Sequence, residues 1–418
     1  MLKLLRLSIE SMFFALQAVV VNRLRTLLSL LGITIGIFAI IAVFTIVDSL
    51  EMNIRESLSS LGSDIIYIEK WPWTEEGGGE FKWWQYVNRP LPNIQEYALL
   101  KTRLTKAEEI AFIISTSTSV QYKDNLIDNI NFVGVSSGFD DIRNFDIQKG
   151  RYFSDFELNS GKNICVVGHE IANKLFENID PLGKVITIRG HKTRIVGVFK
   201  KEGKDTFGDS FDENVMVPVN HVRNVINIRS ESLHPMIWVK AAENISTAEL
   251  MGEIRMNLRN IRRLKPKAED NFALNQTSML NNQLDDFFGV LNVAGWFIGI
   301  FSLLVGGFGI ANIMFVSVKE RTKMIGVQKA LGAKKYFIIE QFIFESVLLA
   351  IMGGFVGLLF VYVGTAIINT VSDFTVTLTV SNIIMGLSIS SVIGLISGLA
   401  PAYSAAKLDP VIAINSTF

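Results

Sequence analysis

The sequence predicts a membrane protein with four transmembrane α-helices and a large α+β extracytoplasmic domain inserted between helices 1 and 2. A helix of about 20 consecutive, mostly apolar residues is long enough to cross a bilayer. Four segments meet that requirement with almost no charged side chains, and we place them at residues 26–50, 287–318, 338–370 and 381–405. Residues 51–285, between the first two segments, are numerous enough to form a domain of their own.

The loop at residues 319–335, between the second and third spans, sets the orientation. It carries six basic side chains, whereas the link at residues 371–380 between the third and fourth spans carries none. The positive-inside rule places the basic loop in the cytoplasm. Both termini, including the tail at residues 406–418, are then expected in the cytoplasm, with the large domain across the membrane.

Residues 1–25 are predicted to form a cytoplasmic interfacial amphipathic helix. Lys3, Arg6, Glu10 and Gln17 recur at helical spacing along one side, and apolar residues cover the rest. Such a helix lies in the headgroup layer of the membrane. The basic segment and the span that follows it are both too long for a cleavable signal peptide, so we expect an anchor that stays in place.

The interiors of the four spans disfavour an ion relay. Apart from Ser and Thr, their polar residues include Asn292, Asn312 and Asn369, and no ionisable residue lies near a span centre. Proton and ion pathways across membranes depend on such residues, so a self-powered proton-coupled transporter is disfavoured. Glu340 and Glu345, near the cytoplasmic start of the third span, are interpreted as interfacial.

Each span contains one pair of glycines at helical spacing. Small residues let helix backbones approach closely in lipid, so these pairs predict tight helix packing. Four helices leave little room for a solute path, and we therefore expect pairing with a second copy or a related permease subunit. The pairs are Gly32 and Gly36, Gly295 and Gly299, Gly353 and Gly357, and Gly394 and Gly398.

An energy source is missing from the sequence. No GxxxxGK[ST] phosphate-binding loop occurs in it, and the glycines at residues 77–79 lie between glutamates that repel phosphate. Any ATP must be hydrolysed by a partner, and the basic loop at residues 319–335 is the predicted place for that partner to bind.

Motifs in the three later spans identify a family. The runs GGFGIANIM at 306–314, VSVKERT at 316–322 and KALGA at 329–333 resemble the signature of MacB/FtsX-type ABC transporter permeases. Gln341, Phe342, Glu345, Gly353 and Gly354 continue the resemblance in the third span. GLAPA at 398–402 and AAKLDP at 405–410 complete it in the fourth span and the tail.

The extracytoplasmic region resembles the same family. FVGV at 132–135, GRYF at 150–153, DPLGK at 180–184 and IVGV at 195–198 are similar to motifs of its periplasmic domain. The resemblance therefore covers nearly the whole chain.

The resemblance implies a coupling helix in the basic loop, through which each of two paired permeases binds an ABC ATPase. ATP and Mg²⁺ belong on that separate cytoplasmic ATPase, and we predict no cofactor, metal or catalytic residue on this chain. Where the family commonly has an acidic residue and an arginine, this chain has Met324 and Gln328. The residues matched to ATPase coupling are Glu320, Arg321, Thr322, Ile325, Gly326, Lys329, Ala330, Leu331 and Gly332.

The resemblance also implies a mechanism and a location. ATP-driven motion of the coupling helices would be carried to a periplasmic domain from the bacterial inner membrane, for export or extraction of a substrate. Expected partners are the ATPase, a second permease, membrane lipids, and either a periplasmic adaptor with an outer-membrane channel or a lipoprotein carrier, but no nucleic acid. A lipoprotein-releasing subunit and a non-transporting, FtsX-like regulator of a cell-wall hydrolase are alternatives.

Hydrophobic periodicity in the large domain predicts an α+β fold. We expect strands at residues 64–69, 110–122, 130–135, 164–167, 184–188 and 194–198, and helices at 94–105 and 247–263. By resemblance, one subdomain comprises about residues 60–135 plus 236–280, and a second, about residues 136–235, is inserted into it.

An aromatic cluster surrounds the glycine-rich stretch at residues 75–80. Exposed aromatic side chains often mark binding surfaces, so Trp71, Trp73, Trp83 and Trp84 are candidates for contact with a substrate, a partner protein or the second permease. The alternative is that these side chains pack back onto their own domain.

A hydrolase is the last alternative. GVSSG at residues 134–138 satisfies the GxSxG pattern, with four histidines downstream. That motif requires a strand, a strained turn and a helix, and we favour a plain turn without a nucleophile. The single cysteine, Cys165, is expected to be a buried apolar side chain.

Overall fold

The computed structural model describes residues 23–74, 81–177, 179–203, 210–225, 233–372 and 374–415. The chain forms two compact units. The membrane unit combines the chain up to Asn53 with the chain from Asp285 onward, and the outer unit is Ile54–Leu284. The interfacial helix predicted at residues 1–25 lies outside the described residues, except that residues 23–25 already belong to the first described helix.

The described helices, in chain order, are α1 (Arg23–Ser60), α2 (Trp83–Tyr86), α3 (Ile94–Arg103), α4 (Phe139–Ile142), α5 (Asp155–Ser160), α6 (His169–Phe176), α7 (Val219–Val225), α8 (Thr247–Ile261), α9 (Thr277–Glu320), α10 (Thr322–Ala330), α11 (Lys335–Val371), α12 (Val380–Lys407) and α13 (Pro410–Asn415). A 3₁₀ turn spans Phe211–Glu213.

Four of these helices, α1, α9, α11 and α12, are long and apolar enough to cross a membrane. Together with the α+β outer unit they confirm the predicted fold class. The helix α9 is longer than its predicted span, with 44 residues from Thr277. At 1.5 Å per residue it measures about 66 Å, about twice the 30 Å hydrocarbon core. Hydropathy detects only the apolar part of such a helix, so its polar beginning escaped prediction.

The four long helices share one apolar core inside the membrane unit. Ile33, Ile37 and Ile41 of α1 pack with Met314 of α9 and Phe342 of α11, and each of the five is at most 2% exposed. Isoleucines at this spacing lie on one helical face, which explains why α1 turns that face inward.

The outer unit is built on ten strands: β1 (Ile65–Glu69), β2 (Ala107–Tyr122), β3 (Asn125–Val135), β4 (Ile147–Gly150), β5 (Ile164–Val167), β6 (Val185–Ile188), β7 (His191–Phe199), β8 (Asn214–Pro218), β9 (Met236–Ala241) and β10 (Ala273–Asn275). They form one sheet in the order β10-β1-β9-β2-β3-β8-β5-β7-β4, and β6 pairs with β2 and β7.

The sheet has two halves of different chain origin. The strands β10, β1, β9, β2 and β3 come from residues 60–135 and 236–280, whereas the other strands come from residues 136–235. The halves join where β3 pairs with β8 in parallel register, and also where β2 pairs with β6. The subdomain boundary itself stays a prediction.

All six predicted strands and both predicted helices of the outer unit are present, with end residues shifted by up to five positions. Four strands were not predicted: β4, β8, β9 and β10, which have three to six residues each. Runs that short often show too little alternation to identify a strand. Cys165 of β5 is fully buried, as predicted, and burial raises the pKa of its thiol.

Candidate coupling site

The basic loop folds into the nine-residue helix α10, which a bend and a tight turn separate from its neighbours. The bend is at Arg321, after α9 ends at Glu320, and the Thr322 hydroxyl donates to the Lys319 carbonyl oxygen at 2.8 Å. The turn is at Gly332, whose φ of +99° suits glycine. The Gly332 amide donates to the Lys329 carbonyl and the Ala333 amide to the Gln328 carbonyl, a Schellman arrangement that ends α10.

An ion pair ties the bend to the neighbouring long helix. Arg321 Nη1 lies 3.1 Å from Glu345 Oε2 of α11, and the Ser317 hydroxyl of α9 lies 3.5 Å from Glu345 Oε1. The Glu345 side chain is only 6% exposed. The interfacial position of Glu345 stays a prediction, and the structure adds that this carboxylate is buried against Arg321.

A lysine in the last turn of α10 attaches this helix to the end of α12. Lys329 Nζ donates to the carbonyl oxygen of Ala406 at 2.9 Å and also to that of Leu408. These carbonyls lie at the C-terminus of a helix, where backbone acceptors lack helical partners and the helix dipole favours a cation. Lys329 therefore acts as a cap on α12.

The inner face of α10 packs on α13. Ile325 is 1% exposed, and a Cβ added to Gly326 would lie 2.9 Å from the Ala413 Cβ and 3.1 Å from the Ile414 amide nitrogen. Gly326 thus permits a close approach that a larger residue would prevent. Through Arg321, Lys329 and Gly326, the helix α10 is attached to α11, α12 and α13.

The outer face of α10 is apolar and exposed. Met324, Val327 and Leu331 are 40%, 48% and 84% exposed, at the spacing of one helical face. Two of them, Met324 and Val327, were missing from the predicted set, although their spacing could have revealed them. Exposed apolar groups close together on one face mark an interaction surface.

The predicted coupling residues thus divide by position. Arg321, Ile325, Gly326 and Lys329 face other helices of the chain. Ala330 and Leu331 are exposed, as is Glu320, which has its own interactions within the chain. Thr322 and Gly332 shape the ends of α10. Matching residues to the family motif could not separate inward-facing from exposed positions, because that division depends on which side of the helix packs against the rest of the chain.

Seven of the eight predicted glycines lie in close helix contacts. A Cβ added to any of these seven would lie 2.0–3.3 Å from an atom of a neighbouring helix, and only Gly32 has nothing within 4 Å. The contacts join α1 to α9 at Gly36, Gly295 and Gly299, and α1 to α11 at Gly353 and Gly357. Gly394 and Gly398 join α12 to α11 at Val347 and Ser346.

The aromatic cluster is divided between packed and exposed side chains. Trp73 packs against Tyr67 with the two rings tilted and their centroids 4.9 Å apart. Its Nε1 donates to Glu69 Oε2 at 3.0 Å. Burial of Glu69 raises the pKa of that carboxyl. Trp71 is 37% exposed, and Trp83 and Trp84 are both 57% exposed. The glycine-rich stretch at residues 75–80 lies outside the described residues.

The hydroxyl of the serine in the GxSxG pattern is hydrogen-bonded to the backbone. Ser136 Oγ accepts from the Phe112 amide at 2.8 Å and donates to the Ser137 carbonyl at 3.1 Å. A nucleophile needs a general base within hydrogen-bond reach, and among the described residues none contacts Ser136. The plain turn is therefore the better interpretation.

Comparison with known families and proteins agrees with these features. Residues 26–256 match the MacB-like periplasmic core domain, and residues 296–410 match the FtsX-like permease C-terminal domain. The macrolide export ATP-binding/permease protein MacB of Neisseria gonorrhoeae is 29% identical over 97% of this chain and 61% of that protein. The chain therefore spans about three fifths of this relative. The uncharacterized ABC transporter permease YknZ of Bacillus subtilis is 29% identical over 97% of this chain and 99% of its own.

Among solved structures, the periplasmic region of MacB from Actinobacillus actinomycetemcomitans has a TM-score of 0.44 at 15% identity, covering 55% of this chain and 95% of that one. The extracellular domain of the ABC-type transporter YknZ has a TM-score of 0.39 at 20% identity, covering 50% of this chain and 98% of that one. One family description covers more than half of the chain, and a second covers residues 296–410. The chain belongs to the family of MacB/FtsX-type ABC transporter permeases.

Proposed function

We propose that this chain is a permease subunit that transmits ATP-driven motion from a separate cytoplasmic ATPase to its periplasmic domain. The motion would serve the export or extraction of a periplasmic or membrane-associated substrate. ATP and Mg²⁺ would be bound by the ATPase, and two permeases would act as a pair in the bacterial inner membrane.

The attachment of α10 carries the proposal. Its inner face is fixed to α11, α12 and α13 through Arg321, Lys329 and Gly326, while its outer face presents Met324, Val327 and Leu331. A force applied to the outer face would therefore reach three other helices at once. An apolar surface of this kind suits a partner that buries it on binding.

Exposed apolar side chains on α9 are available for pairing with a second permease. On α9, Phe301, Val305 and Phe308 are 67–72% exposed. An apolar side chain on a spanning helix needs lipid or another helix around it. The relatives named MacB are described as macrolide export proteins. For this chain we propose a periplasmic or membrane-associated substrate.

The direct test is binding of a candidate ABC ATPase from the same organism to this chain in lipid nanodiscs. Val327→Asp with Leu331→Asp should weaken binding at least about tenfold, because each buried apolar anchor at an interface contributes about 1–3 kcal/mol. The matched control is Phe156→Asp, an exposed apolar residue of the outer unit. Unchanged binding in the double variant, with normal membrane insertion, would contradict the coupling assignment.

A second measurement addresses the alternatives for the outer side. Proteins that co-purify with the complex would support export if they include an adaptor or an outer-membrane channel. A lipoprotein carrier would support lipoprotein release, and a peptidoglycan hydrolase would support the regulator.

A further inference from the structure

The link between α11 and α12 contains an extended segment, residues 374–378, which we call the strap. Within the described part of the chain, the strap has no strand partner. Backbone amides and carbonyls that leave water need other partners. In the strap these partners are side chains of two different membrane helices.

Asn369 of α11 holds the centre of the strap. Its Nδ2 donates to the Val376 carbonyl at 2.9 Å, and its Oδ1 accepts from the Val376 amide at 2.7 Å. This pair of bonds imitates the pairing of a neighbouring strand. Val376 itself is 4% exposed, so its side chain points into the helices.

Two residues of α1 hold the flanking positions. Asn53 Nδ2 donates to the Thr375 carbonyl at 2.8 Å, and the Thr375 hydroxyl returns a bond to Asn53 Oδ1 at 2.7 Å. Ser49 Oγ accepts from the Thr377 amide at 3.0 Å. Ser49 and Asn53 are one helical turn apart, so they meet the strap from the same face of α1.

The strap therefore alternates between helices: Thr375 and Thr377 bind α1, and Val376 binds α11. Directly after the strap, the Thr379 hydroxyl accepts from the Asn382 amide at 3.2 Å and caps α12. The strap is thus bonded to α1 and α11, and the residue that follows it caps α12. These bonds give Asn369 a role in holding the strap.

From this geometry we infer that Ser49, Asn53 and Asn369 are positioning residues that make α1, α11 and α12 move as one body at their extracytoplasmic ends. The inference rests on the proposed function for the source of the motion. The strap contacts themselves do not depend on it. Since α1 continues past Asn53 to Ser60, motion of α11 and α12 would pass to the chain that enters the outer unit.

The first experiment uses the permease alone, in nanodiscs, with Cys165→Ala to remove the single cysteine. A cysteine placed by Val376→Cys should react slowly with a water-soluble maleimide while the strap is held. Adding Asn53→Ala and Asn369→Ala should raise the rate about tenfold or more, because several hydrogen bonds that close the strap are lost. Asn292→Ala, an asparagine of α9 outside the strap, is the control and should leave the rate unchanged. Equal rates in all three would overturn the inference.

The second experiment uses the complex with the ATPase, without nucleotide and trapped with ATP and vanadate. Spin labels replace Met52 of α1 and Val380 of α12, which are 46% and 70% exposed. With the strap intact, the distance distribution should be narrow and identical in both states. In the double variant Asn53→Ala with Asn369→Ala, the distance distribution should broaden, and its mean should change on trapping. Binding of the ATPase should stay normal. A distance that changes in the unaltered protein, or is unaffected in the double variant, would overturn the inference.

The two experiments separate the two ideas. If no ATPase binds this chain, the proposed function fails, and the labelling of Val376→Cys still decides whether the strap holds. If the ATPase binds and labelling is slow, but the helices separate on trapping, the proposed function stands and the single-body inference fails.

Discussion

Arg321 and Glu345 form a buried ion pair, 3.1 Å from guanidinium to carboxylate, between the bend before α10 and the neighbouring helix α11. The Glu345 side chain is 6% exposed and that of Arg321 is 21% exposed, so neither can rely on water alone. The pair fixes the angle at which α10 leaves α9. It is the contact through which a pull on α10 would first reach α11.

Removing one member of this pair should be costly. Glu345→Ala leaves the Arg321 charge half-buried, a change that typically destabilises by about 3 kcal/mol or more. We expect lower thermal stability and loss of permease-dependent stimulation of the ATPase. The exchange Arg321→Glu with Glu345→Arg should recover part of both. If the single and the exchanged variants lose stability and ATPase stimulation equally, the ion pair is not the cause of the defect. Glu340→Ala, five residues earlier in the same helix, serves as the control.

Glycine contacts between α11 and α12 give a second prediction. A Cβ at Gly398 would lie 2.0 Å from the Ser346 Oγ and 2.7 Å from its Cβ. Gly398→Ala should therefore force the helices apart and destabilise by about 1–3 kcal/mol. At Gly364 of α11 nothing lies within 4 Å, so Gly364→Ala should be neutral or slightly stabilising. Unfolding in detergent with increasing denaturant measures both, and equal effects would contradict the packing argument.

The outer unit should lose stability in acid through Glu157. Arg151 donates two hydrogen bonds to this carboxylate, at 2.7 and 2.9 Å, and lowers the pKa of Glu157 to about 2 from its ordinary 4.5. A carboxyl whose pKa is depressed in the folded state stabilises it above the unfolded pKa. That contribution is lost as the pH falls from about 4.5 towards 2. Between about pH 4.5 and 2, the melting temperature of Glu157→Gln should fall less steeply with decreasing pH than that of the unaltered protein. Glu213→Gln, an exposed glutamate, should follow the unaltered protein.

His221 should add a second acid-sensitive step at higher pH. It is 4% exposed, and burial, with a smaller effect of the His191 charge, lowers its pKa below 6.5. Its Nδ1 has no hydrogen-bond partner among the described residues. The folded state therefore prefers neutral His221, and its stability falls as the pH drops through 6.5, where the unfolded chain takes up a proton. His221→Gln should remove this dependence between pH 7 and 5. His169→Gln should retain it, and a loss there too would contradict the assignment.

The sequence was informative wherever the signal is local. Long apolar segments predicted all four membrane helices, and alternating or β-branched runs predicted six of the ten strands described in the outer unit. Family motifs located α10 to within two residues of its ends. These features depend on residues that are near one another in the chain.

Contacts between distant residues could not be predicted in the same way. The ion pair of Glu345 was not predicted because its partner, Arg321, becomes a neighbour only when α9 and α11 pack together. The inward position of Lys329 depends on where α12 ends. Asn53 and Thr375 are 322 positions apart, and nothing in either sequence neighbourhood indicates that they meet.

The position of β1 in the sheet determines the order in which the outer unit can be completed. Both of its neighbours, β9 and β10, come from the far end of the domain sequence, at Met236–Ala241 and Ala273–Asn275. During synthesis β1 therefore leaves the export channel long before either neighbour exists. Until then its apolar edge remains open to wrong pairing. We expect newly exported chains to need a holding chaperone at this stage, and truncations before β10 to aggregate.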